Sequence, residues 1–133
     1  MAMIPTMSAL HERDPLDEGA TVVYAHLFQG LAEPTRLAIV QHLASGEHRV
    51  RDLVDHMDLA QSTVSKHLRF LLECGLVRVR PEGRSSWYSL AEPVLLIELV
   101  AAAEALLAAT GTRARLCRHL THAESMPTER PGR

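Results

Sequence analysis

Residues 61–84 combine side chains suited to DNA binding with one suited to metal binding. The stretch begins with hydroxyl and amide side chains, continues with cations, and includes Cys74, one of two cysteines in the chain. Short hydroxyl and amide groups at the start of a helix can approach base edges closely, and cations supply the salt-dependent attraction to phosphates. A thiolate prefers soft metal ions. The segment therefore suggests two chemistries, DNA recognition and metal binding.

The helical spacing of residues 61–73 separates an apolar face from a polar face. Val64, Leu68 and Leu71 recur every three or four residues, as they do along one side of a helix. The polar side chains fall on the opposite side and on the flanks near the helix start. The candidate DNA-contacting residues of this helix are Gln61, Ser62, Thr63, Ser65, Lys66, His67 and Arg69. A polar helix face is often only solvated, so this assignment depends on the segment that follows it.

A basic hairpin is predicted directly after this helix. Beyond Gly75 the apolar period changes from helical to alternating in "VRVR", "PEGR" has the composition of a turn, and "SSWYSL" returns as a strand. Arg78, Arg80 and Arg84 would extend from this hairpin toward the phosphate backbone or a minor groove, while the helix lies in the adjacent major groove. The conjunction of polar helix and basic hairpin favours DNA binding.

The remaining apolar patterns predict further helices around this unit. Residues 50–57 form a short amphipathic helix that, with the helix at 61–73, makes a helix-turn-helix candidate. Residues 18–31 carry two apolar stripes, so this helix can pack on its own domain and on a second subunit. The helices are expected over residues 18–31, 34–45, 50–57, 61–73 and 93–110. The predicted fold class is mainly α with a small β-hairpin, a winged helix-turn-helix.

Length and charge limit the class of protein. A chain of 133 residues with 47% apolar side chains corresponds to one domain, whose small core a partner subunit would help complete. The formal net charge of -2 argues against indiscriminate coating of nucleic acid, so DNA contact must come from a local patch. We expect a flexible segment at 1–17, a DNA-binding and dimerisation domain at 18–111, and a tail with possible metal ligands at 112–133.

Nothing in the sequence indicates export or a membrane partner. The first 15 residues lack the cationic start and long apolar run of a signal peptide. The most apolar run, residues 94–109, contains Glu98 and Glu104 and is shorter than the roughly 20 residues of a spanning helix. Two distant cysteines form no disulfide framework. A cytoplasmic location is predicted.

The central 60 residues resemble the ArsR/SmtB family of winged-helix repressors. The motifs that carry the resemblance are "LAEPTRLAIV", "STVSKHLRFL" for the recognition helix, and "GR" followed by "Y" and "L" in the wing. The resemblance implies a homodimer formed through the first and last helices that binds an operator with dyad symmetry. It also implies an inducer, often a metal ion, that weakens DNA binding.

Two metal sites of this family lack their ligands here. One uses a pair of cysteines at the first helix of the helix-turn-helix, where this chain has Arg49 and Arg51. The other uses Asp, His and Glu side chains of the last helix, and Val94, Ala105 and Ala108 stand at the matching positions. Guanidinium and aliphatic groups do not ligate metals, so neither site is expected.

A third family site, that of CmtR-like cadmium and lead sensors, matches in part. It combines two cysteines four apart at the end of the recognition helix with one in the tail. Cys74 matches the second cysteine of the pair, Phe70 replaces the first, and Cys117 lies near the tail position. The resemblance thus implies a soft metal ion, Cd, Pb or Zn, as inducer.

Two thiolates are too few for a tetrahedral site, so further ligands are needed. His119 is the candidate third ligand beside Cys74 and Cys117; His122, and His11 from the start of the chain, are further candidates. His67 lies seven residues before Cys74. A helical rise of 1.5 Å per residue separates these two residues by about 10 Å, which is too far for both to bind one metal ion.

Other functions remain open. Cys74 and Cys117 could instead form a redox- or electrophile-responsive switch, the protein could sense no metal at all, or Cys74 could be a small buried apolar side chain. A winged-helix module that binds proteins rather than DNA is a further alternative. An enzyme is not expected, because Asp52 and His56 form an ordinary helix-surface pair without a nucleophile motif or phosphate-binding loop.

Overall fold

The computed structural model describes residues 17–121. The segments 1–16 and 122–133, with the candidate ligands His11 and His122, lie outside this range. The elements in chain order are α1 (Glu18–Ala32), α2 (Pro34–Leu43), β1 (His48–Arg49), α3 (Val50–Met57), α4 (Gln61–Glu73), β2 (Val77–Glu82), β3 (Ser85–Leu90), α5 (Pro93–Ala109) and α6 (Arg118–Thr121). The predicted fold class, mainly α with a small β-hairpin and a winged helix-turn-helix, is confirmed.

Carboxylate side chains accept hydrogen bonds from backbone amides at the N-terminal ends of the first three helices. Asp17 accepts a hydrogen bond from the amide of the third residue of α1, and Glu33 accepts one from the Arg36 amide at the start of α2. In α3, Asp52 accepts the Arg49 amide at 2.8 Å. Each bond satisfies a donor that the helix itself leaves unpaired. At the other end of α3, Asp58 adopts a left-handed conformation with φ of 57°, and its amide donates to the Val54 carbonyl.

The wing is a three-stranded antiparallel sheet in the order β1-β3-β2. Strands β2 and β3 pair from Val77 opposite Leu90 to Glu82 opposite Ser85, and a two-residue turn joins them. Gly83 occupies the turn with φ of 63°, a conformation that glycine adopts without strain. The sequence patterns did not predict β1, a two-residue strand that pairs with the middle of β3.

The core joins α2, the helix-turn-helix, the wing and the last two helices. Its buried members are Ile39, Val40, Leu43, Leu53, Val64, Leu68, Leu71, Val77, Leu90, Leu96, Ile97, Val100 and Leu120. Leu120, on α6, is fully buried, and Leu116 packs against the same cluster. The segment after α5 therefore returns to the domain and packs along it.

The outer faces of α1 and α5 carry large apolar side chains in contact with solvent. On α1 they are Val22, Val23, Tyr24 and Phe28, with exposed fractions of 51% to 67%. On α5 they are Val94, Leu95, Leu106 and Leu107, with exposed fractions of 42% to 66%. Exposed apolar surface of this kind, on two helices of one domain, marks an interaction surface. In the described part of the chain no helix is long and apolar enough to cross a membrane.

Candidate nucleic-acid interface

The solvent-facing side of α4 presents most of the predicted contact residues. Val64, Leu68 and Leu71 are buried in the core, so the opposite side of the helix faces outward. Of the polar residues on that side, Gln61, Ser62, Lys66 and Arg69 are exposed, and Thr63 and Ser65 are half-buried on the flanks. We call these six residues the α4 face. It offers two cations together with an amide and three hydroxyls.

The start of α4 differs from the starts of α1, α2 and α3. Ala60 is the N-cap residue, with extended backbone angles and no side chain that can accept a hydrogen bond. The first turn of α4 also contains no acidic residue. Helix amides that no side chain caps, at the positive end of the helix dipole, attract anions such as phosphate.

His67 does not join the α4 face. Its side chain is 12% exposed, with Nε2 3.9 Å from Glu33 Oε1 and Nδ1 3.4 Å from an Arg36 guanidinium nitrogen. The imidazole therefore packs between α4 and the start of α2. This placement gives no support to its predicted role as a DNA contact, because the ring is directed at Glu33 and Arg36 rather than outward with the α4 face.

Two of the three wing arginines are paired with carboxylates. Arg80 donates to Glu47 at 2.8 Å and 3.2 Å and to Glu82 at 3.0 Å, and these hydrogen bonds raise its pKa above the usual value. Arg78 lies 3.3 Å from a carboxylate oxygen of Glu92, with both side chains about two-thirds exposed. Arg84, at the exposed turn, takes part in none of the ion pairs found among residues 17–121. Among the wing arginines, Arg84 is thus the cation best placed to meet an external phosphate.

A polar groove between α3 and the wing adds cations that the sequence interpretation missed. It has a volume of about 300 Å³ and is lined by Arg49, Val50, Arg51, Arg84, Ser85, Ser86 and Tyr88. Arg49 is held by Asp52 at 3.0 Å and lies 4.9 Å from the Trp87 ring centre, whereas Arg51 is exposed. The sequence signal for this groove is "HRVRDL", in which Arg49 and Arg51 also stand at the positions of the absent thiol pair. Arg51 and Arg84 extend the basic surface beside the α4 face.

Cys74, at the end of α4, faces α1. Its Sγ donates to the His26 carbonyl at 3.4 Å and lies 3.9 Å from His26 Nε2. Burial raises the pKa of the Cys74 thiol. At position 70, where the family resemblance implies a second thiol, the Phe70 ring lies 5.3 Å from the His26 ring and 4.1 Å from the Arg36 guanidinium carbon. An aromatic ring and a cation thus occupy the neighbourhood of Cys74.

Cys117, just before α6, faces α2 instead. Its amide donates to Gln41 Oε1 at 2.9 Å, and its Sγ lies 3.8 Å from the Gln41 carbonyl oxygen. His119 lines a pocket with Cys117, Gln41 and His42. Cys74 and Cys117 therefore contact different helices, because the end of α4 packs on α1 while the segment after α5 runs along α2. Across residues 17–121 no three possible ligands are grouped around a metal-sized space, so one chain does not assemble Cys74, Cys117 and His119 into the predicted site.

The fold and the α4 face define the class: a winged helix-turn-helix protein. A family model described as bacterial regulatory protein, arsR family, matches residues 33–79. An ArsR-family transcriptional regulator of known crystal structure is 31% identical, with 68% of this chain and 88% of that chain covered and a TM-score of 0.51. The chain belongs to the ArsR family, and the resemblance of its sequence motifs is confirmed.

Two further relatives are informative. The homodimeric winged helix-turn-helix DNA-binding domain Mb0332 from Mycobacterium bovis is 28% identical, with 72% of this chain and 94% of that chain covered and a TM-score of 0.58. The probable mercury resistance operon repressor of Streptomyces lividans is 39% identical over 69 residues, which are 52% of this chain and 55% of the repressor. The chain thus spans little more than half the length of that curated relative.

Proposed function

We propose that this protein is a transcriptional repressor that acts in the cytoplasm as a homodimer on double-stranded operator DNA with dyad symmetry. The observation that carries the proposal is the α4 face, an outward polar surface on the second helix of a winged helix-turn-helix. Gln61, Ser62, Thr63 and Ser65 would contact base edges or nearby phosphates in the major groove, and Lys66 and Arg69 would bind phosphates.

The wing and α3 would bind the DNA backbone on either side of α4. Arg84 and Arg51 are exposed and would contact phosphates directly. Arg78 and Arg80 would first have to exchange their carboxylate partners for phosphates, and Arg80 has two such partners. We therefore expect Arg84 to contribute more to affinity than Arg80.

Dimerisation would use the apolar faces of α1 and α5. Eight large apolar side chains are exposed there, and the relative Mb0332 is a homodimer with the same type of domain. A two-fold pair of α4 helices reads two half-sites that are about one helical turn of DNA apart, near 34 Å. The proposed dyad symmetry of the operator follows from this geometry.

The experiment is electrophoretic mobility shift with DNA from upstream of the protein's own gene, at several salt concentrations. Replacing Lys66 and Arg69 by Ala should lower affinity at least about tenfold and reduce the salt dependence by about two phosphate contacts. Arg113 and Arg115 lie beyond α5, so the R113A/R115A variant removes the same charge away from the α4 face. If the protein binds other proteins and not DNA, no band will shift. Equal losses of affinity in the two variants would mean that DNA is attracted nonspecifically by charge.

We further propose that a soft metal ion, Cd, Pb or Zn, is the inducer, with Cys74, Cys117 and His119 as ligands. The support is the thiolate chemistry and the relation to a mercury resistance repressor, whose name refers to a soft metal. Because Cys74 contacts α1 and Cys117 contacts α2, a shared site would require these contacts to change. Coupling of this kind is typically about 1–3 kcal/mol and is reciprocal between metal and operator.

Cd(II) titration of the reduced protein, followed by thiolate-to-metal absorption in the ultraviolet, tests this inducer. A shared site predicts that Cys74→Ser and Cys117→Ser each abolish most of the absorption. Loss of only part of the signal in each variant would mean that the thiols bind separately. No absorption in the unmodified protein, together with release of DNA by peroxide, would instead support the thiol-oxidation alternative.

A further inference from the structure

Three histidines from three different elements meet on the side of the domain next to α2. His42 lies on α2, His48 on β1 and His56 on α3. The ring centres of His42 and His56 are 5.5 Å apart, those of His48 and His56 are 5.4 Å apart, and those of His42 and His48 are 6.3 Å apart. Their distances along the chain gave no motif that would have revealed the group, which we call the histidine triad.

The spacing of the rings is close to that of a three-imidazole metal site. A metal held at about 2.0–2.1 Å from three imidazole nitrogens in tetrahedral geometry puts the ring centres about 5 Å apart. The observed separations exceed this value by about 0.4–1.3 Å. The three nitrogens do not yet point at one metal-sized space, and no such grouping exists among residues 17–121. Metal binding would therefore require the rings to rotate about their side-chain bonds. The exposure of His56 and the partial exposure of His42 and His48 permit this rotation.

The protonation of two of the rings suits metal binding. His48 Nδ1 lies 2.8 Å from the Gly46 carbonyl oxygen, which can only accept, so Nδ1 is the donor and the neutral form of the ring would present the lone pair of Nε2 to a metal. A backbone carbonyl on the remote ring nitrogen is the usual support of a metal-binding histidine. Desolvation, and then the neighbouring charges of His56 and His48, lower the pKa of His42, which favours the neutral form of this ring.

We propose that His42, His48 and His56 form a binding site for one divalent first-row transition ion of the zinc, nickel, cobalt or copper class. Imidazole nitrogen is a preferred ligand of these ions. The remaining coordination position would be taken by water on the exposed side of His56. The site would connect α2 to α3 and, through the pairing of His48 with Tyr88, to the wing. Its ligands do not include Cys74 or Cys117, although His42 also lines the pocket that Cys117 and His119 share, and it does not depend on the repressor function.

The test is titration of the full chain with Ni(II), Zn(II) and Co(II), followed by calorimetry and by the visible absorption of bound Co(II). In C74S/C117S, which lacks the thiols of the proposed inducer site, the proposal predicts one ion per chain, a Co(II) spectrum without sulfur charge transfer, and at least about a hundredfold weaker binding when H42Q/H56Q is added. The control H26Q/H67Q loses two histidines from elsewhere in the domain. Added to C74S/C117S, that control should change the affinity by less than about threefold.

Three results would overturn the proposal. They are the absence of metal binding at micromolar concentration in C74S/C117S, equal binding when H42Q/H56Q is added to it, and a loss in the H26Q/H67Q control as large as that in H42Q/H56Q. Circular dichroism of each variant checks that it is folded. If H42Q/H56Q were unfolded, H56Q alone, at the most exposed ring, should still lower the affinity at least about tenfold.

Discussion

The two helices of the helix-turn-helix begin in opposite ways. At the start of α3, Asp52 accepts hydrogen bonds from the Arg49 amide and from two nitrogens of the Arg49 guanidinium, so these donors are paired within the domain. At the start of α4, Ala60 provides no cap and no carboxylate lies in the first turn. The difference teaches that α3 is fixed as a structural support, whereas α4 leaves its positive end for an acceptor outside the domain.

The largest expected effect is on the free energy of unfolding, and it distinguishes the buried side of α4 from the α4 face. Leu68 is 1% exposed, so Leu68→Ala should lower the free energy of unfolding by about 2–5 kcal/mol. Lys66→Ala should change that energy by less than about 0.5 kcal/mol, because Lys66 is exposed, while still weakening DNA binding. Urea denaturation of both variants, together with mobility shift, checks the separation. A large stability loss in Lys66→Ala would show that the α4 face has a structural role.

A second substitution would make the start of α4 resemble that of α3. The backbone of Ala60 has φ of -68° and ψ of 148°, the conformation of an N-cap residue, so Ala60→Asp should stabilise the fold by about 1 kcal/mol. The same carboxylate would repel a phosphate at this helix end, and we expect about tenfold weaker operator binding. Ala60→Ser is the uncharged control and should stabilise the fold without this loss. Unchanged affinity in Ala60→Asp would contradict the placement of phosphate at the α4 start.

The converse change removes the cap of α3. The hydrogen bonds from Arg49 lower the pKa of Asp52 from 3.8 to about 2. Because the folded pKa is depressed, the stabilisation is complete above the unfolded value and is lost as pH falls toward 2. Asp52→Asn should therefore cost about 1 kcal/mol at pH 7, measured by urea denaturation, and progressively less below pH 4. A cost that stayed constant with pH would exclude the ionised carboxylate as its source.

The smallest effect distinguishes the wing arginines. Arg84→Ala should weaken operator binding about threefold, as expected for the loss of one phosphate contact. Arg80→Ala should weaken it less, because Glu47 and Glu82 already neutralise Arg80. Mobility shift at low salt measures both. A larger loss in Arg80→Ala than in Arg84→Ala would mean that Arg80 leaves its carboxylates when DNA binds.

Local patterns predicted much of this structure. The spacing of Val64, Leu68 and Leu71 gave α4 its buried side, and the alternation in "VRVR" gave β2. Each signal comes from residues that are close together in the sequence, so it can be recognised without knowing how the rest of the chain folds. Strand β1 could not be found in this way, because its two residues become a strand only by pairing with β3.

Contacts between elements that are far apart in the sequence could not be predicted from the sequence patterns. His67 lies on the flank of α4, and only the packing of α2 shows that it turns inward to Glu33. Cys74 and Cys117 were grouped by their chemistry, yet the domain directs them to α1 and α2. The histidine triad was missed for the same reason, since its members lie on three elements.

The central claim is that a dimer places two α4 faces on one side of the operator. Hydroxyl-radical footprinting of the protein's own upstream DNA tests it most directly. Such a dimer should protect two segments of similar sequence that are related by a dyad. Their centres should lie about 10 base pairs, one helical turn of DNA, or a multiple of this distance apart. Loss of both segments together in K66A/R69A would support α4 as the reading element. A single protected segment without a dyad, or an unchanged footprint in K66A/R69A, would contradict it.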